Sequence, residues 1–366
     1  MSGQTLFLGL ETWSRLGGLQ AFNRRLIAAL ARRAKGMGAP PVVAVLRRDA
    51  GAELPSDLHV VFHACGPSRA QFAVAAMAGA RGAKLIVVGH INLLPVAALC
   101  RIRAPQARVV LMVHGDEVWG DPVYRAPRWL DRPLLRLVHR VVSVSDFTAR
   151  RMQAAFALPP ARFLTFLNAV DPIAFELPPR HAAPEILSVT RLAAHDHGKN
   201  IDQVLRAVAQ LAPTRPSLRY TIVGEGVLRP GLQALAAELG ISAQVTFAGR
   251  LSDGDLAVAY GRARIFVLPS QKEGFGIVYL EAWLRALPVI CGTEDAAHEI
   301  VTDGTDGFCV NPQDTDLLAH RIGWLLDHPE AARQMGVAGQ RKVADHYLAD
   351  AFHDRLETIL NEVERR

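Results

Sequence analysis

Two carboxylates, Glu273 and Glu281, stand eight residues apart and enclose Gly274-Phe275-Gly276-Ile277. They follow the apolar run Ala263 to Ser270, which reads as a buried strand, and precede Ala282-Trp-Leu-Arg-Ala-Leu287, good helix composition stopped by Pro288. A strand, a glycine-bearing loop and a helix aim backbone N–H groups at an anion. Gly274 and Gly276 have no Cβ to hold a ligand away from the backbone. Two carboxylates so spaced can accept hydrogen bonds from hydroxyls at both ends of one ligand with a diphosphate between them, which is the shape of a sugar nucleotide. Taken alone, the two glutamates also fit a helix cap and an exposed helix residue.

Cations suited to the diphosphate lie upstream. Arg191 ends the apolar run Glu185 to Thr190, and Lys199 follows eight positions later, just before a helical pattern from Asn200. A guanidinium fork and an ammonium point charge match neighbouring phosphate oxygens; a surface charge pair is the plainer alternative. His114 follows the strand-like Val109 to Val113, on the side of a parallel sheet where ligands bind. Gly17-Gly18 separates a first strand, Thr5 to Leu10, from an amphipathic helix, Leu19 to Leu30, without the G-x-G-x-x-G of dinucleotide dehydrogenases. Asp253-Gly-Asp255 and Asp314-Thr-Asp316 imitate a metal-binding Asp-x-Asp, but each opens a helical segment and reads as a cap. Asp146 reads likewise, after the strand Val141 to Ser145.

The pattern Glu-Gly-Phe-Gly-Ile-x-x-x-Glu after a strand ending Leu-Pro-Ser resembles the glutamate-pair signature of retaining GT-B glycosyltransferases of family 4. Val-Ser-Val-Ser-Asp at 142–146, Asn-Ala-Val-Asp-Pro at 168–172 and the strand ending Gly224-Glu-Gly226 are similar to further family elements. The resemblance implies two Rossmann-like α/β domains facing across a cleft: an acceptor-binding domain, 1–175, and a donor-binding domain, 176–366, whose last helix crosses back. It implies that Arg191 and Lys199 meet the donor diphosphate, Glu281 the ribose, and Glu273 and His114 the transferred sugar. Gly17 and Gly18 would lie against the donor phosphates, Gly224 in the matching turn, and Arg250 beside the nucleobase. Asn200 stands where the family has glycine, and Ala296-Ala-His298 where it often has Gly-Gly.

The elements that must position these groups fit a chain of 366 residues, half of them hydrophobic, which is enough for two cores. Strands are expected at 42–46, 59–63, 85–88, 109–113, 220–223, 244–247 and 289–291, a helix at 69–80, and closing helices at 315–328 and 345–364. Pro172, Pro178, Pro179 and Pro184 mark a stiff linker. Cys65, Cys100, Cys291 and Cys309 have no redox or metal-ligand spacing and read as buried thiols of a reducing cytosol. No stretch has the length of a spanning helix, so a cytoplasmic enzyme is expected, without nucleic-acid partners.

Charge divides unevenly. Residues 1–175 hold 22 Lys and Arg against 10 Asp and Glu (+12), and the remainder 19 against 25 (−6). With arginines next to Trp119, Tyr124 and Trp129, the first half suits an anionic membrane surface; a merely basic surface and a soluble acceptor are the alternative. The expected activity is transfer of a hexose from GDP-mannose or a UDP-hexose to a glycan or lipid-linked acceptor, without cofactor or metal. The rival readings are a sugar-nucleotide epimerase of the same fold and a non-catalytic nucleotide-sugar binder.

Overall fold

The computed structural model describes residues 3–15, 17–172 and 184–365. They form two compact units, 1–169 together with 349–366, and 170–348. The boundary expected at 175 and the linker prolines Pro178 and Pro179 lie outside the described residues.

The first unit is built on strands β1 (Gln4–Gly9), β2 (Val42–Arg47), β3 (Val60–Cys65), β4 (Ala83–Val88), β5 (Arg108–Val113), β6 (Arg140–Ser143) and β7 (Phe163–Thr165). They pair in the order β3-β2-β1-β4-β5-β6-β7, all parallel. In the second unit β8 (Glu185–Val189), β9 (Arg219–Val223), β10 (Val245–Gly249), β11 (Ile265–Leu268), β12 (Val289–Gly292) and β13 (Gly307–Val310) pair in parallel as β10-β9-β8-β11-β12-β13. Each order is doubly wound. The central strands lack polar alternation because helices cover both faces: β11 and β12 are buried throughout, whereas the edge strand β3 alternates.

Several expectations need correction. The closing helix expected at 345–364 is Ala349–Arg365, and a further, unexpected helix, Pro329–His346, ends just before it. The break has a cause: the Tyr347 carbonyl accepts the Val170 N–H at 2.9 Å and so leaves the helical ladder. Gly336 and Gly339 dilute the helical pattern from Pro329; both lie where any Cβ would collide with Ala286 or Trp283. Ser145, not Asp146, caps the helix Asp146–Phe156, accepting the Thr148 N–H at 3.2 Å. Ser252, not Asp253, caps Asp253–Arg262, accepting the Asp255 N–H at 3.2 Å while its hydroxyl donates to the Asp255 carboxylate at 2.7 Å. Asp314 caps its helix as expected, from Leu317 N–H at 2.8 Å. Cys291 and Cys309, far apart in sequence, sit in register on β12 and β13 with sulfurs 3.5 Å apart.

Candidate functional site

In the second unit the chain winds outward from β8 through β9 to β10, then returns to the other side of β8 as β11. Loops after β8 and β11 meet at that reversal, at the C-terminal strand ends where ligands bind in a doubly wound sheet. Arg191 and Lys199 leave β8; Glu273 to Ile277 leave β11. The topology thus brings together the two motifs that chemistry alone singled out.

Side chains tie the two loops to each other. Lys199 is buried, its ammonium bonded to the Glu273 carboxylate and, at 3.3 Å, to the Lys272 carbonyl. Asn200 adopts φ 54 and ψ 36, a left-handed conformation that asparagine tolerates and glycine takes freely. Its amide also donates to the Pro269 carbonyl at 2.8 Å, so replacing the family glycine preserves the turn and adds a tether. Beside it, buried Asp196 pairs with Lys272 at 3.2 Å and with Arg191 at 3.5 Å. Burial pushes the Asp196 carboxyl up, but Arg191 and Lys272 outweigh it and hold it below the ordinary value. The Arg191 side chain is 65% exposed and projects outward from this anchor.

Glu273 is set by Asp295, which is fully buried and accepts the Glu273 N–H at 2.7 Å and the Ala297 N–H at 2.9 Å. Burial, then the neighbouring Glu273 charge, pushes Asp295 up to about 7. Gly276 has φ 93, and a Cβ there would lie 2.6 Å from the Tyr279 ring. The helix that follows, Ile277–Trp283, is short; Glu281 in its second turn accepts the Tyr260 hydroxyl at 2.9 Å. Phe275 turns away from solvent against Tyr347, leaving only its backbone for the loop, while Ile277 is half-buried. Gly224, at φ 142, lies so close to β8 that a Cβ would fall 1.7 Å from the Thr190 carbonyl oxygen. Arg250 is exposed beyond β10, two strands from β8, and is not gathered with the others.

In the first unit the corresponding reversal lies between β1 and β4. Gly17 and Gly18 are exposed at the start of helix Gly18–Gly36. His114, after β5, has Nε2 3.3 Å from the Gly89 carbonyl and its ring edge-on to Phe22 at 4.8 Å. Burial lowers its pKa to about 4, so the ring is neutral at pH 7; with Nε2–H donating to Gly89, Nδ1 is an acceptor. Glu117 accepts the His114 N–H at 2.6 Å and is raised to about 7 by burial.

Residues 170–342 match the family model described as Glycosyl transferases group 1, and residues 16–173 match Glycosyltransferase Family 4. A GDP-mannose-dependent monoacylated alpha-(1-6)-phosphatidylinositol monomannoside mannosyltransferase of Corynebacterium glutamicum is 32% identical over 70% of this chain and 71% of its own. The chain belongs to glycosyltransferase family 4. An alpha-D-kanosaminyltransferase of Streptomyces kanamyceticus is 28% identical over 66% of this chain and 64% of its own. The fold of this glycosyltransferase superposes on Anabaena HepE in complex with UDP-glucose, with TM-score 0.79 at 17% identity over 98% and 100% of the two chains. Sucrose-phosphate synthase of Thermosynechococcus elongatus gives 0.79 at 20% over 99% of each. These likenesses establish the GT-B fold.

The enzyme is accordingly a hexosyltransferase, and the epimerase and binding-protein readings are not favoured. Asp196, Tyr260, Lys272 and Asp295 are the site residues that sequence reading missed. Lys272 and Asp295 lie within reach of the glutamate motif, but an isolated lysine or aspartate carries no signal until the fold pairs it.

Proposed function

We propose that this glycosyltransferase moves a mannosyl or related hexosyl group from a nucleotide sugar to a lipid-linked acceptor, with retention at the anomeric carbon. GDP-mannose is the first donor to test, because the Corynebacterium glutamicum relative is GDP-mannose-dependent. One observation carries the reading: Arg191, Lys199 and Glu273 converge where β8 and β11 part, with Glu281 one helix turn behind. Breaking the sugar–phosphate bond leaves its electron pair on the diphosphate, and fixed cations favour that charge most in the transition state. Arg191 and Lys199 supply them, Glu281 takes the ribose hydroxyls, and Glu273 and neutral His114 take the sugar hydroxyls. As the family resemblance implies, Gly17 and Gly18 are proposed for the donor phosphates, and Arg250, which stands apart from this cluster, for the outlying base. No divalent metal enters this scheme, since Asp255 and Asp314 serve as helix-cap partners.

The experiment incubates the protein with GDP-mannose or UDP-glucose, with and without a phosphatidylinositol mannoside acceptor. Expected is an α-linked product, by NMR of the anomeric proton, formed only with acceptor and undiminished by a chelator. Conversion of donor alone returns the epimerase reading, and activity lost to chelator and restored by magnesium overturns the metal-free scheme.

A docking surface on anionic lipid belongs to the same proposal, at the inner face of the membrane. Among the described residues no helix is long and apolar enough to cross a membrane. The aromatic set expected to face lipid needs correction: Trp119 is buried, edge-on to Phe147 at 5.6 Å with Nε1 on Thr148, and Arg125 is locked in a bidentate pair with Asp131. Trp129, 86% exposed, does project. Helix Leu94–Arg103, packed on the helix Asp131–Leu135, adds exposed Ile102 and Leu99. Arg101, Arg108 and Arg162 crowd His139 nearby and lower its pKa after burial does. Apolar tips among arginines suit a lipid interface.

A further inference from the structure

The loop joining β1 to the helix Gly18–Gly36 is held by a residue that nothing above assigns. Asp49, two residues beyond β2, is fully buried. Its carboxylate accepts the Thr12 N–H at 2.8 and 3.0 Å, the Trp13 N–H at 3.1 Å and the Ser14 N–H at 2.8 Å. The Ser14 hydroxyl lies 2.7 Å from the same carboxylate and 2.9 Å from the Arg48 carbonyl, with one proton to give to the pair. Three consecutive backbone N–H groups converging on one point form an anion nest, and here the protein fills it with its own carboxylate.

The clamp is built from three sides. Arg24, on the helix, donates to the Thr12 carbonyl at 2.7 Å and to the Arg15 carbonyl at 2.8 Å. Arg48 holds φ 65, a left-handed conformation unfavourable for a residue with a Cβ, while its guanidinium pairs with Glu11 at 2.9 Å. Burying a carboxylate is costly unless it is fully hydrogen-bonded. The loop so secured has an exposed tip, Ser14 and Arg15, followed by exposed Gly17 and Gly18. Core packing has no use for such an outlay at a surface loop; a loop that must meet a substrate in one conformation does.

We propose that Asp49 is a positioning residue for glycosyl transfer, which fixes Thr12 to Ser14 and thereby the backbone at Gly17 and Gly18. The inference rests on the assignment of those glycines to the donor phosphates. Most of the nucleotide contacts are assigned to groups of the second unit, with the glycines adding only to the phosphates, so loss of the clamp lowers turnover far more than it weakens nucleotide binding.

The test uses full-length Asp49→Ala and Asp49→Asn. Asparagine keeps the shape but turns an amide donor toward N–H donors. Turnover should fall about tenfold or more, as misplacement of substrate-positioning groups does, with the Kd for GDP and UDP by calorimetry unchanged within about twofold. Fluorescence anisotropy of Trp13, taken as the difference from a Trp13→Phe background, should drop. Added formate, which fits the emptied nest, should restore turnover in Asp49→Ala, whereas chloride at equal ionic strength should not. Unchanged anisotropy refutes the clamp. A mobile Trp13 with unchanged turnover refutes the assignment of the loop to the donor, and the proposal with it. If Asp49→Ala does not fold, Asp49→Asn and Ser14→Ala carry the same readouts, and normal turnover in both overturns the inference.

Discussion

Lys199 and Glu273 are bonded to each other: the cation leaving β8 meets the carboxylate leaving β11 at the reversal of strand order. The groups proposed for the diphosphate and for the sugar are therefore one coupled pair. Removing Lys199 leaves Glu273 uncompensated beside Asp295, and removing Glu273 leaves Lys199 with the Lys272 carbonyl.

Lys199→Ala and Glu273→Ala should each cut transfer by roughly 10²-fold, and the double variant should be no more than about threefold worse than the poorer single, since coupled groups are not additive. Steady-state kinetics of the four proteins decides it. Losses that multiply would show that the two groups act separately.

Glu281 is oriented by Tyr260, whose hydroxyl is buried and held protonated by burial and by the Glu281 charge. Glu281→Ala should weaken nucleoside diphosphate binding by about 10- to 100-fold, and Tyr260→Phe by about 3- to 10-fold, in keeping with a charged and a neutral hydrogen bond. Glu273→Ala should leave that affinity nearly intact. Calorimetry with GDP and UDP showing the reverse order, Glu273 above Glu281, would undo the division of roles.

The histidine makes stability depend on pH. Because burial holds His114 at about 4 in the fold against 6.5 ordinarily, the unfolded chain takes up a proton that the folded chain refuses. Its contribution is complete above pH 6.5 and is lost as pH falls toward 4. His90, lowered to about 3, acts in the same sense, and Glu117, raised to about 7, in the opposite one. His114→Gln should flatten the acid-side loss by at most about 3 kcal/mol between pH 6.5 and 4. Urea unfolding of both proteins across that range checks it, and parallel curves would contradict it.

Lipid docking separates exposed from buried aromatics. The protein should sediment with anionic vesicles at low salt and be released at 1 M, where the Debye length falls to about 3 Å. Trp129→Ser with Ile102→Ser should weaken sedimentation without altering the melting temperature. Trp119→Ala should instead destabilise the fold, by about 3–5 kcal/mol for a buried tryptophan. A supernatant protein with anionic vesicles at low salt removes the membrane from the proposal.

Sequence by itself determined the local things. Apolar runs without alternation declared strands covered on both faces, and Glu273 to Glu281 carried a spacing specific enough to name a family. Those signals are local because period, glycine placement and capping act over a few residues. Even there, Ser145 and Ser252 displaced neighbouring aspartates as caps, since backbone geometry at the helix start selects among adjacent candidates.

Tertiary structure decided which of these residues work together. Lys199 and Glu273 are 74 positions apart, and only the reversal of strand order beside β8 makes them partners. Tyr260, Lys272, Asp295 and Asp49 were silent for the same reason: a buried polar group gains meaning from the donors and charges that the fold packs around it. Trp119 shows the converse, an aromatic among arginines that sequence assigned to the surface and packing claimed for the interior. Burial follows from the sum of long-range contacts, which no window of sequence contains.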